Sequence, residues 1–175
     1  MFRFTRRDLI VLTIVAAAAA AAYVAYSWPR PSLAEKIRDA AIKQAKKEDK
    51  LVLLVFAVHD QSWCDLLDAY HADRAVRGVL DKHFVLRRID VEEPGGTEMY
   101  LERGQRGFPA FSILDVNGKV ISDSGQNGQN FGFPNNDEQV DQYIAALTAA
   151  CPQLSEQDIV VLRQRLEKMR VVSNE

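Results

Sequence analysis

The sequence predicts an α/β domain, a central mixed sheet flanked by helices, behind an N-terminal transmembrane helix and ahead of a helical C-terminal extension. Three observations carry this reading. Leu51-Val52-Leu53-Leu54-Val55-Phe56 is an unbroken apolar run of strand length, as expected of a central strand buried on both faces. Helical and strand-like segments alternate after it, and the order strand, helix, strand implies a right-handed parallel crossover. The first 29 residues differ in kind from the rest.

In that leading segment Arg3, Arg6 and Arg7 precede an uncharged run from Leu9 to Pro29, which holds seven consecutive alanines from Ala16 to Ala22 and closes on Tyr23, Tyr26 and Trp28. About 20 such residues suffice for a helix to cross a bilayer. Arginines on the near flank and aromatics at the far interface place everything after Pro29 outside the cytoplasm: a bacterial inner-membrane protein with a single pass, Leu9 to Trp28, and a periplasmic domain. The same segment also reads as an export signal. Thr5-Arg6-Arg7-Asp8-Leu9-Ile10 has the twin-arginine pattern, with Ala25-Tyr26-Ser27 as a cleavage site.

Three of the 22 Lys and Arg and one of the 24 Asp and Glu fall in those 29 residues, so the remainder has a net charge of −4. With no basic patch, no nucleic-acid partner is expected. The remaining length suits one core, divided here into 30–50 (linker and leading helix), 51–151 (the α/β domain) and 152–175 (a C-terminal helix). Two cysteines 87 positions apart, Cys64 and Cys151, make no disulfide framework and are expected to be unpaired.

The elements follow in order. Ser32 with Glu35 is a capping box for a helix whose stripe is Leu33, Ile37, Ala41 and Ala45. After strand 51–56, helices are expected at 63–71 and 73–82, a strand at 84–91 and a short helix at 98–103. Strand-like runs 110–115 and 119–123 meet through Val116-Asn117-Gly118, and Asn-Gly is the strongest short hairpin signal. Residues 125–136, rich in Gly, Asn, Gln, Phe and Pro, hold no periodic element and read as a loop. Helices at 137–151 and 156–170 end the chain. The last carries Ile159, Leu162, Leu166 and Met169 as an apolar seam expected to cover one face of the domain's own sheet.

Phe56 through Cys64, the turn Arg106-Gly107-Phe108-Pro109-Ala110, the Asn117-Gly118 hairpin and the strand ending in Asp90, taken in this order, resemble the thioredoxin-like superfamily over about residues 51–149. The resemblance implies a cis Phe108-Pro109 bond against the active-site loop. It also implies a Cys-x-x-Cys pair, and this the chain does not have. Laid down without gaps from Phe56, the family pattern puts Gln61 at the first cysteine and Cys64 at the second, with Val55 where many members keep a buried acid. A second register matches Trp63-Cys64 to the family's Trp-Cys, making Cys64 the nucleophile and Leu67 the lost partner, at the cost of a three-residue insertion.

Both registers lack the dithiol that forms and then resolves a mixed disulfide. The redox site therefore reads as degenerate. Cys64 is the one candidate catalytic residue, either as a small apolar residue on the first turn of a helix or as a thiol activated by the helix N-terminus. What remains is a surface: Gln61, Ser62, Trp63, Phe108 and Pro109, with Phe131 and Phe133 as exposed aromatics, form a candidate groove for an extended polypeptide. The expected role is a protein-binding or accessory subunit in a membrane complex. A monothiol oxidoreductase using Cys64 is the alternative, and a copper-binding factor, after the Sco group of thioredoxin-like copper proteins, is a third. For copper, His59, Asp60 and Cys64 are an incomplete set, with His71 and His83 on other elements. No metal site and no cofactor is assigned.

Overall fold

The computed structural model describes residues 6–27, 30–104, 106–126 and 129–173. The chain divides into two compact units, Met1–Pro31 and Ser32–Glu175. The first holds one helix, α1 (Arg6–Ser27), of 22 residues. Val11, Ile14, Val15 and Tyr23 on it are exposed. Among the described residues no helix is long and apolar enough to cross a membrane. The expected span from Leu9 to Trp28 lies partly outside those residues.

The second unit begins with α2 (Leu33–Glu48), and the capping box forms as the sequence requires. Glu35 N–H donates to Ser32 Oγ at 3.2 Å and Ser32 N–H to Glu35 Oε2 at 2.7 Å. β1 (Leu51–Ala57) follows, buried from Val52 onward. Then come α3 (Ser62–Ala72), α4 (Arg74–His83), β2 (Phe84–Asp90), α5 (Gly96–Leu101), β3 (Ala110–Leu114) and β4 (Val120–Asp123). A two-residue ladder, β5 (Gly125–Gln126) with β6 (Gln129–Asn130), precedes α6 (Asp137–Ala150) and α7 (Glu156–Ser173).

The four-stranded sheet runs β2-β1-β3-β4, with β1 parallel to β2 and antiparallel to β3, and β3 antiparallel to β4. Alternation along β1 divides the core. Leu53 and Val55 face a layer with Leu67, Tyr70, Phe111, Tyr143, Leu147, Leu162 and Leu166. Val52, Leu54 and Phe56 face Ala34, Ala41 and Ala45 of α2 and Met99 and Tyr100 of α5. Small residues on α2 let that helix lie close on the sheet. This mixed sheet with helices on both faces and a central β1 is a thioredoxin-like fold.

Three local expectations change. The short helix starts at Gly96, two residues earlier than read, because Gly95 takes a left-handed φ of +83° and starts it. The loop at 125–136 contains the β5–β6 ladder, too short to leave a periodic signal. The seam of α7 packs on α4, α6 and α3 rather than directly covering the sheet, since those helices already occupy that face.

Candidate functional site

β1 delivers the chain into a loop of Val58, His59 and Asp60, where Asp60 takes a left-handed φ of +54° and turns the backbone into α3. Gln61 is the N-cap residue, and its side chain makes no capping bond. The amides of Cys64 and Asp65 donate to the Gln61 carbonyl at 2.9 and 3.0 Å, closing the first turn. Cys64 is 1% exposed, and its Sγ donates to Gln61 Oε1 at 2.9 Å. Gln61 therefore stands at the helix mouth with Cys64 one turn inside, the geometry that the ungapped register describes. Leu67, the alternative partner position, is buried in the core beside Val55.

Burial pushes the Cys64 thiol up, Asp68 and Asp65 push it the same way, and the Val58 amide and the Arg88 guanidinium pull against them without reversing the shift. A thiol held above its ordinary range is mostly protonated near neutrality, and the thiolate is the reactive form. Cys151 is also buried, with its thiol raised by burial, and both cysteines are free.

Arg88 ties this loop to the sheet. Its Nε lies 3.2 Å from Asp68 Oδ2, its Nη1 3.2 Å from Asp90 Oδ2, and its Nη2 donates to the Val58 carbonyl at 3.2 Å. His59 Nε2 sits 2.6 Å from the same Asp90 Oδ2. Burial alone would raise the Asp90 carboxyl, but the Glu92 amide, Arg88 and His59 outweigh it and hold it below its ordinary value. Asp68 is raised, because burial outweighs its pairing with Arg88. His59 is thus engaged with Asp90, while His71 Nε2 meets Tyr143 Oη at 3.1 Å and His83 lies 3.9 Å from Asp158. Among the described residues no group of three or more His, Cys, Asp or Glu is gathered for a metal ion.

The Phe108-Pro109 bond is cis, as the family resemblance implies. Gly107 before it has φ +94°, a region open chiefly to glycine. Tyr100 Oη donates to the Gly107 carbonyl at 3.1 Å, and its ring lies 4.6 Å from that of Phe108. Asn130 Nδ2 donates to two carbonyls of the turn, Gly107 at 2.9 Å and Pro109 at 2.8 Å. The amide and carbonyl of Phe108 make no hydrogen bond among the described residues.

Trp63, 37% exposed, stacks on Phe133 with ring centroids 5.8 Å apart and planes 22° from parallel. Phe131 packs edge-on to Phe111 at 5.7 Å. Phe131 and Phe133 are therefore not exposed as the sequence suggested: Phe133 is 3% exposed and Phe131 is half-buried. Sequence position in a Gly/Asn-rich loop gave no sign of this, because burial there comes from tertiary packing alone. Residues 130–133 join the two halves of the candidate groove, Asn130 on the Phe108-Pro109 turn and Phe133 on Trp63. Asn130 is the site residue that the sequence reading missed.

No protein-family model matches the chain, and no curated protein matches it. Among solved structures it is similar to a disulphide isomerase from Xylella fastidiosa Temecula1, at 19% identity and a TM-score of 0.47 over 82% of this chain and 95% of that one. A thioredoxin from Thermus thermophilus matches at 15% identity and a TM-score of 0.47, over 66% and 88%. A thioredoxin-fold protein from Helicobacter pylori matches at 14% identity and a TM-score of 0.43, over 71% and 86%.

Proposed function

We propose that this chain is a polypeptide-binding or accessory subunit, anchored in the bacterial inner membrane with its thioredoxin-like unit in the periplasm, and not a dithiol oxidoreductase. One observation carries the reading. The turn at Phe108 leaves its amide and carbonyl without a hydrogen bond among the described residues, residues 130–133 run from that turn to a stacked Trp63–Phe133 pair, and the turn that carries Trp63 holds a glutamine and a single buried, protonated thiol. A strand laid in the groove would pair its backbone with Phe108 and rest a side chain on Trp63, which is how main-chain bonds supply affinity and pockets supply selectivity. The anchor reading is supported by the sequence pattern, Arg3, Arg6 and Arg7 ahead of the uncharged run from Leu9 to Pro29 with aromatics at its far end.

The second reading, a monothiol oxidoreductase, is favoured by Arg88 and the Val58 amide, both of which stabilise a Cys64 thiolate. One experiment separates the two. Full-length protein in mild detergent is titrated with reduced, carboxymethylated α-lactalbumin, an unfolded chain without reactive thiols, and assayed in parallel for insulin reduction. Saturable binding that Trp63→Ala weakens roughly tenfold, with no reductase turnover, supports the binding role. Absence of binding, or turnover that Cys64→Ser abolishes, overturns it.

A further inference from the structure

The Asn130 side chain carries an internal contradiction. Its Nδ2 gives both hydrogens to carbonyls, Gly107 and Pro109, while its Oδ1 is buried with no partner. The assignment of the two ends is forced, since the flipped amide would set an oxygen against two carbonyl oxygens at 2.8 to 2.9 Å. Buried acceptors are rarely left unpaired, and an exception calls for a reason. The reason offered by the geometry is the residue between the two carbonyls.

We propose that Asn130 is a positioning residue for ligand binding. By drawing the carbonyls of Gly107 and Pro109 to itself, it turns the intervening amide and carbonyl of Phe108 away and presents them as one donor and one acceptor to the main chain of an extended polypeptide. The Gly107 carbonyl and the Phe108 amide belong to one trans peptide group and point opposite ways, so holding the first turns the second outward, and the Pro109 carbonyl fixes the far side of a residue whose φ the ring already sets. Neighbouring contacts hold the device in place. Phe131 N–H donates to the Ser124 carbonyl at 3.2 Å, Ser124 Oγ accepts from the Phe111 amide at 2.9 Å, and Tyr100 Oη shares the Gly107 carbonyl. Gly132 also belongs to it. With φ +68°, a Cβ there would stand 3.9 Å from the Phe108 carbonyl oxygen, so that oxygen has a bare backbone beside it.

This inference rests on the polypeptide-binding reading and names the residue that sets its selectivity for backbone over side chain. A ligand held this way is recognised by its free amides. A chain whose amide opposite Phe108 is methylated, or replaced by an ester, loses the bond whatever its side chains.

The test is a cycle between protein and ligand. A strand-forming decapeptide and its single N-methyl variants are titrated against full-length protein in detergent, wild type and Asn130→Ala. The wild type should lose about tenfold in affinity at one methylated position, the worth of a main-chain bond or two. Asn130→Ala should bind the parent peptide about tenfold more weakly and show no further loss at that position. Equal sensitivity to methylation in both proteins means that Asn130 only stabilises the fold, and this overturns the inference while leaving the binding role intact. A ligand-free measurement stands beside it. In the amide spectrum of the protein without peptide, Asn130→Ala should broaden the Phe108 resonance through exchange between turn conformers, whereas Trp63→Ala, which removes only a ring current, should not broaden it. An unchanged Phe108 amide in Asn130→Ala refutes the positioning role even if no peptide binds, and failure of the wild type to bind any peptide refutes the binding role by itself.

Discussion

His71 makes the folded unit sensitive to mild acid. It is 8% exposed, its Nε2 meets Tyr143 Oη at 3.1 Å, and its Nδ1 has no hydrogen-bond partner. Burial lowers its pKa from 6.5 to about 3, so the folded state keeps the ring neutral. The unfolded chain binds a proton at this residue below pH 6.5, and the folded chain does so only near pH 3. The penalty is therefore absent above pH 6.5 and grows as pH falls from there toward 3. It amounts to about 2 kcal/mol at pH 5 and about 3 kcal/mol at pH 4, a sizeable part of the roughly 5–15 kcal/mol that holds a domain together. Urea unfolding of Ser32–Glu175 at pH 7 and pH 5 measures it, with His71→Gln as the control, since glutamine can still meet Tyr143 but does not titrate in this range. Carboxylates such as Asp68 and Asp90 are common to both proteins and cancel in the difference. The wild type should lose about 2 kcal/mol more than the variant between the two pH values. Equal losses would show that His71 is protonated without cost and that the buried, neutral ring is wrongly drawn.

Gln61→Cys should create a pair that closes under mild oxidation, because the Gln61 side chain already reaches Cys64 Sγ; Leu67→Cys, from a core position, should not, and the reverse result in gel-shift alkylation would restore the gapped register. Cys64 in the native protein should react with iodoacetamide far more slowly than in urea, since its thiol is buried and raised; equal rates would revive the monothiol reading. Gly96→Ala should destabilise by several kcal/mol in thermal melts, because a Cβ there would meet the Asp90 carbonyl and the Val91 Cα; a loss under about 1 kcal/mol would mean that the Asp90–Gly96 turn yields easily.

Much of the fold was legible because it rests on local, periodic signals. The apolar run of β1 could be read as doubly buried, Ser32 and Glu35 as a capping box, and Asn117-Gly118 as a hairpin, and each involves residues within a few positions of one another. The candidate site divides differently. Gln61, Cys64 and Pro109 were found because a family pattern could be laid over them. Asn130 was not, since its partners Gly107 and Pro109 lie more than 20 positions away and an asparagine in a Gly-rich loop looks like any turn residue. Phe133 was misread for a related reason. A loop has no period from which to infer a buried side, so only the position of Trp63 decides which way the ring points.

Gln61, Val55 and Cys64 agree with one another chemically, since none of the three supports dithiol exchange. Resolving a mixed disulfide needs a second thiol and a base to ionise it. Gln61 supplies no thiol, and Val55, in the apolar layer with Leu67 and Phe111, supplies no base. Cys64 donates a hydrogen bond to the Gln61 amide oxygen and is shielded from solvent. Each of these lowers the reactivity of the remaining sulfur, while none touches the turn at Phe108 or the Trp63–Phe133 stack. The chemistry and the groove share α3's opening turn but use different side chains of it, since Cys64 points into the core and Trp63 stacks on Phe133. A dithiol cycle is therefore not available to this chain, whereas the Phe108 turn and the Trp63–Phe133 stack stand whatever the state of Cys64.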